Sequence, residues 1–218
     1  MDELPDPWPL RRLVLRTPRL ELRPDDDAGL LELVEEARLG VHAPDEMPFG
    51  VAWTDAPSEQ LGVNTMRFHW GQRAAVSPQR WDVNFLVRLD GRVIGNQGLH
   101  GREFAATRAV GTGSWIGLRH QGSGIGTEMR AAVLMFAFDQ LGATTARSSA
   151  LVDNPRSLGV SRRLGYVEDG SEQLVVRGTA TTHRRLLLTR DAFKRPDWQL
   201  TVSGVDGCRE LLGAENAP

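Results

Sequence analysis

Residues Trp115 to Glu128 read Trp-Ile-Gly-Leu-Arg-His-Gln-Gly-Ser-Gly-Ile-Gly-Thr-Glu. An extended apolar stretch runs into a glycine-rich loop, and the loop runs straight into a helical repeat. Ile125, Met129, Val133, Phe136, Ala137 and Leu141 recur at the spacing of one helix face. The first turn of such a helix has backbone N–H groups without partners and carries about half a positive charge. Glycines let an anion approach that backbone closely, and pyrophosphate is the usual guest. Three readings of the loop compete. A dinucleotide loop needs Gly-x-Gly-x-x-Gly, and here Thr127 stands where its last glycine belongs. A Walker loop needs a lysine that this stretch lacks. A plain turn that requires small residues is the third.

The flanking sequence narrows the choice of fold. Arg19 to Arg23 alternates apolar and charged residues, as a half-buried strand does, and Pro24 ends it. Asp25, Asp26 and Asp27 then precede an apolar pattern of Leu30, Leu31, Val34, Ala37 and Val41, which predicts a helix with acidic residues at its positive end. Residues 42 to 81 are irregular and rich in Trp, Phe, Met and Pro, with a helix expected over Pro57 to Arg73. They read as an insertion packed by its own aromatics, or as one wall of a pocket. Val83–Leu89 and Arg92–Leu99 flank Asp90-Gly91, a type I′ hairpin pair. A third strand over Gly111 to Leu118 pairs on their edge. Arg147 to Val152 reads as a short strand, and Asn154-Pro155 opens a helix that stops at Gly165. Strands follow near 173–177 and 183–188, and Leu200–Val205 has weak strand character that would extend the sheet. The order β-α-(α)-β-β-β-α-β-α-β-β describes a mixed α/β fold with a largely antiparallel sheet, not a doubly wound parallel one.

Composition removes other classes. The chain has 218 residues and a net charge of −2, which fits one domain with extensions and provides no basic field for nucleic acid. Cys208 is the single cysteine, so an internal disulfide and a cysteine-based zinc site are excluded. His42 and His69 are too scattered to suggest a metal site. Met1 to Pro9 lacks the pattern of a signal peptide, and no window approaches the ~18 apolar residues of a membrane span. A reducing, cytoplasmic setting is expected, without membrane or nucleic-acid partners.

Two motifs together carry a family resemblance. Gln121-x-x-Gly124-x-Gly126 resembles motif A of the GNAT acyltransferase superfamily, which cradles the coenzyme A pyrophosphate. Asn154-x-x-Ser157, followed by Arg163-Leu164-Gly165-Tyr166, resembles that superfamily's motif B. The match is best to the RimJ/RimL branch, and it covers about residues 17 to 190. Gly40-Val41-His42 and Met47-Pro48-Phe49 are similar to segments shared by a group of actinobacterial RimJ/RimL-like proteins. Residues 1–16 and 191–218 are then N- and C-terminal extensions.

The resemblance implies a sheet with one splayed strand pair and flanking helices. It implies acyl-coenzyme A as co-substrate, with acetyl the default and succinyl an alternative. Ile116 and Leu118 would meet pantetheine. Gln121, Gly122, Ser123, Gly124, Ile125, Gly126 and Thr127 would hold the pyrophosphate. Asn154 matches a coenzyme-contacting asparagine, and Arg162 or Arg163 would reach the 3′-phosphate. The reaction implied is direct attack of a neutral amine on the thioester. A backbone N–H near Trp115 or Ile116 would stabilise the oxyanion, and Ser157 matches the serine assigned to the leaving thiolate. The base stays open among Asp82, His100, Glu103, His42, His69 and a water wire to solvent, because Val110 to Ser114 holds no carboxylate. A succinyl carboxylate would need a partner among Arg67, His69, Arg73 and Gln97. The acceptor would be a protein N-terminus, a lysine or a small-molecule amine. A non-catalytic coenzyme A sensor is the competing class, and a homo-oligomer stays open.

Overall fold

The computed structural model describes residues 7–215. The first six residues, which open both the Met1 to Pro9 stretch and the expected extension 1–16, lie outside the described residues, as do the last three. Strands β1 (Val14–Arg16) and β2 (Leu20–Pro24) lead into helices α1 (Asp27–Arg38) and α2 (Ser58–Ala74). Strands β3 (Arg80–Leu89) and β4 (Arg92–Arg102), the short helix α3 (Phe104–Thr107) and strand β5 (Ala109–Ile116) follow. Helix α4 (Ile125–Met135), strand β6 (Thr145–Leu151) and helix α5 (Pro155–Leu164) come next. Strands β7 (Val167–Val176), β8 (Thr179–Thr189) and β9 (Thr201–Ser203) complete the chain. The sheet order is β7-β8-β6-β5-β4-β3-β2-β1-β9, and β5/β6 is the parallel pair among antiparallel ones. The expected mixed sheet is therefore observed.

Strand alternation sorts residues onto two faces. On one face Val83, Phe85, Val87, Ile94, Leu99 and Val110 pack with Met129, Val133 and Phe136. On the other, Leu86 and Val93 pack with Leu30 and Leu33 of α1, with Met66 and Trp115 alongside. The sheet is thus sandwiched between α4/α5 and α1/α2. Asp26 caps α1 by accepting from Gly29 N–H at 2.7 Å. Helix α1 stops at Arg38, three residues before the last member of the expected apolar pattern, and Leu31 stays 62% exposed. Asp90 and Gly91 have φ of 50° and 80°, as the type I′ hairpin requires.

Several elements depart from expectation. Strand β5 ends at Ile116, because Leu118 turns away into a 3₁₀ turn and its N–H bonds Gly40 O at 2.9 Å. Strands β7 and β8 are longer than expected and join through Arg177-Gly178, with φ of 50° and 76°. An arginine in that position hides the turn from sequence reading. The tail, by contrast, does extend the sheet as expected, with strand β9 pairing with β1 at its edge. The chain around it contributes Phe193, Cys208, Leu212 and Ala214 to the main core. Burial pushes the Cys208 thiol up to about 11, so it is inert at neutral pH. No helix among the described residues is long and apolar enough to cross a membrane.

Candidate active site

The parallel pair β5/β6 holds only over Ala109–Gly111 against Thr145–Arg147. Beyond that point β5 stays on β4 and β6 stays on β8, so the two strands part. Gly117 N–H bonds Ile94 O at 2.9 Å on the β4 side. By alternation, the backbone groups of Ser114 and Ile116 point the other way, into the gap. Trp115 N–H faces β4, which leaves Ile116 and Ser114 as the donors able to meet a ligand there. The Ile116 carbonyl is already taken by Gln121 Nε2 at 3.1 Å. A cleft of about 1040 Å³ passes through this gap. One wall is β5 from Gly113 to Ile116, and the other is Ser149 to Leu151 of β6.

The glycine loop closes one end of the cleft. Gly122 and Gly124 have φ of 79° and 84°, a left-handed conformation that glycine adopts without strain. Gly124 caps α4 with no side chain over the helix end, so its first N–H groups stay open. Gln121, Gly122, Gly124, Gly126 and Thr127 line the cleft. Ile125 is buried in the core, and the Ser123 hydroxyl bonds His120 O at 3.0 Å. These two contribute backbone to the loop, not side chains to the cleft. Leu118 is 39% exposed and is not brought to the cleft. The Gln121 amide serves the loop itself, since it also reaches Val41 O at 2.8 Å.

Helix α5 forms a further wall. Asn154 Oδ1 accepts from Ser157 N–H at 3.0 Å, and its Nδ2 donates to Pro48 O at 3.3 Å. The residue therefore caps α5 and ties the helix to the Met47–Phe49 segment. Asn154→Ala should lower stability by about 1 kcal/mol, which thermal melting will register as a drop of about 2–4 °C. The Ser157 hydroxyl makes no hydrogen bond among the described residues, and Ser157 lines the cleft. Arg162 and Arg163 also line it, and neither has an ion-pair partner among the described residues. The insertion supplies the opposite wall through His42, Glu46, Met47 and Phe49. Its rings Phe49 and Trp53 meet at a tilt with centroids 5.3 Å apart, and Trp53 lies 5.3 Å from Trp115 of β5, so the insertion packs on itself and on the strand and also walls the cleft.

The fold has counterparts among known proteins. The model of the acetyltransferase (GNAT) domain matches residues 12–167. The chain belongs to the GNAT acetyltransferase family. It is similar in fold to a Mycobacterium smegmatis RimJ solved with a coenzyme A disulfide, at 21% identity and a TM-score of 0.66, covering 92% of this chain and 94% of that one. A RimL ribosomal L7/L12 α-N-protein acetyltransferase in complex with coenzyme A is similar at 18% identity and a TM-score of 0.64, covering 80% and 96%. A spermidine N-acetyltransferase chimera involving Vibrio cholerae matches at 18% identity and a TM-score of 0.61, covering 79% and 96%. The GNAT domain makes this chain an acyl-CoA-dependent N-acyltransferase.

Within this acetyltransferase the candidate bases differ sharply in surroundings. His42 lines the cleft, but its Nδ1 is on Ala43 O at 2.8 Å and its Nε2 on Thr54 Oγ1 at 2.7 Å. His69 is buried, with Nδ1 on Asp25 Oδ2 at 2.8 Å. Asp82 is paired with Arg102 at 2.8 Å, and Glu103 sits at a left-handed turn with φ of 46°. His100 differs from all of these. It lies opposite Gly111 in the β4/β5 ladder, and a Cβ added to Gly111 would meet its Nε2 at 1.9 Å. Its ring thus fills the space that a side chain on β5 would occupy. His100 does not itself line the cleft; two positions along the same face the ladder pairs Gly98 with Gly113, and Gly113 does line it. Burial lowers the His100 pKa, Arg102 adds to the drop and Asp82 opposes it, so the ring is neutral at neutral pH.

Arg67, His69, Arg73 and Gln97, weighed as partners for an acidic acyl group, do not line the cleft. Arg73 is paired with Asp27 at 3.1 Å, and Gln97 Nε2 is on Gly98 O and Gly113 O. The cation at the cleft floor is Arg130, which sequence reading passed over. It is 4% exposed, and it donates to Ser161 Oγ at 3.0 Å, Ser114 Oγ at 3.1 Å and Ser148 Oγ at 3.4 Å. No cluster of metal-ligating side chains occurs among the described residues.

Proposed function

We propose that this acetyltransferase moves an acetyl group from acetyl-coenzyme A to the primary amine of a protein N-terminus, a lysine or a small molecule. The observation that carries this reading is the parting of β5 from β6 directly beside the glycine loop. It leaves backbone donors unpaired in a cleft that the open N-terminus of α4 also lines. Coenzyme A fits these groups. Gln121 to Thr127 would hold the pyrophosphate, and Arg162 and Arg163 the 3′-phosphate. The N–H groups of Ser114 and Ile116 would meet the pantetheine arm and the thioester oxygen. When bound, the thioester supplies an activated carbonyl.

His100, set behind the cleft wall against Gly111, would take the proton from the amine through a bound water, since an amine is mostly protonated at neutral pH, with a pKa of about 8–10. The Ser157 hydroxyl would be one of the donors that hydrogen-bond the sulfur. The acceptor would enter from the side of Phe49 and the β7–β8 hairpin, which also line the cleft.

Thermal melting with acetyl-CoA, succinyl-CoA, free coenzyme A and NADH tests the donor. A ligand at about 100 times its Kd adds about 2.7 kcal/mol, or a rise of about 5–11 °C for a chain of this length. A rise with the coenzyme A species and none with NADH is the expected result. No rise with any coenzyme A species would sink the reading. Incubation with acetyl-CoA and a pool of peptides and polyamines, read by mass spectrometry, then identifies the acceptor. Binding without turnover on any amine would favour the sensor reading.

A further inference from the structure

An arginine buried with three hydroxyls and no carboxylate is unusual. Taking a charge out of water is costly unless a counter-charge meets it. Among the described residues no acidic group pairs with Arg130. Burial lowers the Arg130 pKa and the Tyr166 phenol opposes the drop, while burial pushes that phenol up and so keeps it neutral. Glu128, on the same helix, is engaged by Arg19 and Thr17, and Arg147 of β6 is engaged by Asp169. Arginine keeps its proton in proteins, so the cleft floor holds a fixed, uncompensated positive charge.

The hydroxyls around it are not equivalent. Ser161 donates to Ser157 O at 3.1 Å and Ser148 donates to Thr112 O at 3.4 Å, so their hydrogens are committed. Ser114 accepts from Arg130 and donates to no group among the described residues. It also lines the cleft, and it lies close to where β5 and β6 converge. Ser114 therefore presents its main-chain N–H to the gap, beside a hydroxyl whose donor capacity is free and whose oxygen is polarised by a guanidinium.

We propose that Arg130 is the fixed cation that receives the leaving thiolate, acting through the Ser114 hydroxyl, so that sulfur departs without a proton from the enzyme. This inference rests on the acyl-CoA donor proposed above. The amine nitrogen forms its bond to the thioester carbon and the carbon–sulfur bond breaks. The amine proton moves to His100, and the electron pair leaves on sulfur. The thiolate is protonated by solvent after release. A serine hydroxyl alone does not deliver a proton near neutral pH, and the cation removes the need for one. A carboxylate on the acyl chain is a poorer match for this group. It would seek the guanidinium fork, whose Nε edge is sealed in the protein without a partner.

The test compares free coenzyme A with acetyl-CoA, whose sulfur cannot ionise. Affinities are measured by calorimetry from pH 6.5 to 9 with the wild-type protein. Free thiols ionise near about 8.5. A site that favours thiolate strengthens coenzyme A binding relative to acetyl-CoA by about tenfold or more across this range. Arg130→Met should abolish that rise and lower kcat by about 100-fold with little change in KM, and Arg130→Lys should recover part of both. A flat ratio in the wild type overturns the proposal, and that arm needs no variant to fold. An Arg130→Met protein that keeps its kcat, or loses affinity for succinyl-CoA alone, also overturns it. Failure to bind either coenzyme species overturns the donor assignment as well, whereas binding with a flat ratio overturns this proposal alone.

Discussion

His100→Ala is expected to lower kcat by about 10²–10⁴-fold, the range that a positioned base contributes. The sign of the pH dependence follows from the environment of the ring. Burial lowers the His100 pKa from its ordinary 6.5, and the neutral ring is the active form. Activity should be retained above that lowered pKa and fall as pH drops through it. The profile of kcat/KM, taken with an acceptor amine of low pKa, should show this acid limb in the wild type and lack it in His100→Ala. A variant that keeps both its rate and its acid limb would reject His100 as the base.

Gly111 provides a second route to the same result. A methyl group there would meet His100 Nε2 at 1.9 Å and must displace the ring. Gly111→Ala should therefore lower kcat while the histidine remains in the chain. His42→Ala is the contrasting variant, because both nitrogens of His42 already serve the insertion. If His42→Ala lost the acid limb instead, the base would have to be reassigned across the cleft.

What was legible from sequence follows from the range of each signal. The β3/β4 hairpin, the glycine loop and the Asn154 cap are local patterns, and each lies where the sequence reading places it. Strand β1 has three residues, too few to show alternation, and it was missed. The meeting of His100 with Gly111 depends on ladder register, which no local pattern specifies. The resemblance carries a pantetheine contact to Leu118, which lies past the point where the chain turns away from the cleft. Arg130 did leave a trace. It is the one charged residue between Glu128 and Asp139, in a helix whose residues from Met129 to Met135 are all buried. A helix apolar all round that still carries an arginine has a reason to bury it.

Trp81→Ala is expected to cost about 3–5 kcal/mol, the largest stability loss among single changes considered for this chain. The indole is fully buried, and its ring meets Phe104 edge-on at 5.7 Å. Its cross-strand partner is Gly101, where a Cβ would come within 2.5 Å of the ring, so the glycine makes the room that the indole fills. The Nε1–H donates to Leu212 O at 2.9 Å, which fastens the C-terminal segment to β3. Alanine would therefore open a large cavity and leave the Leu212 carbonyl without its partner. Melting should fall by about 6–20 °C. Trp81→Phe keeps most of the ring but loses the donor, and it should cost only about 1–3 kcal/mol. Limited proteolysis separates the two contributions. If the hydrogen bond holds the segment, cleavage beyond Asp191 accelerates in both variants. If ring packing alone holds it, cleavage accelerates only in Trp81→Ala, and the tie to Leu212 carries no weight.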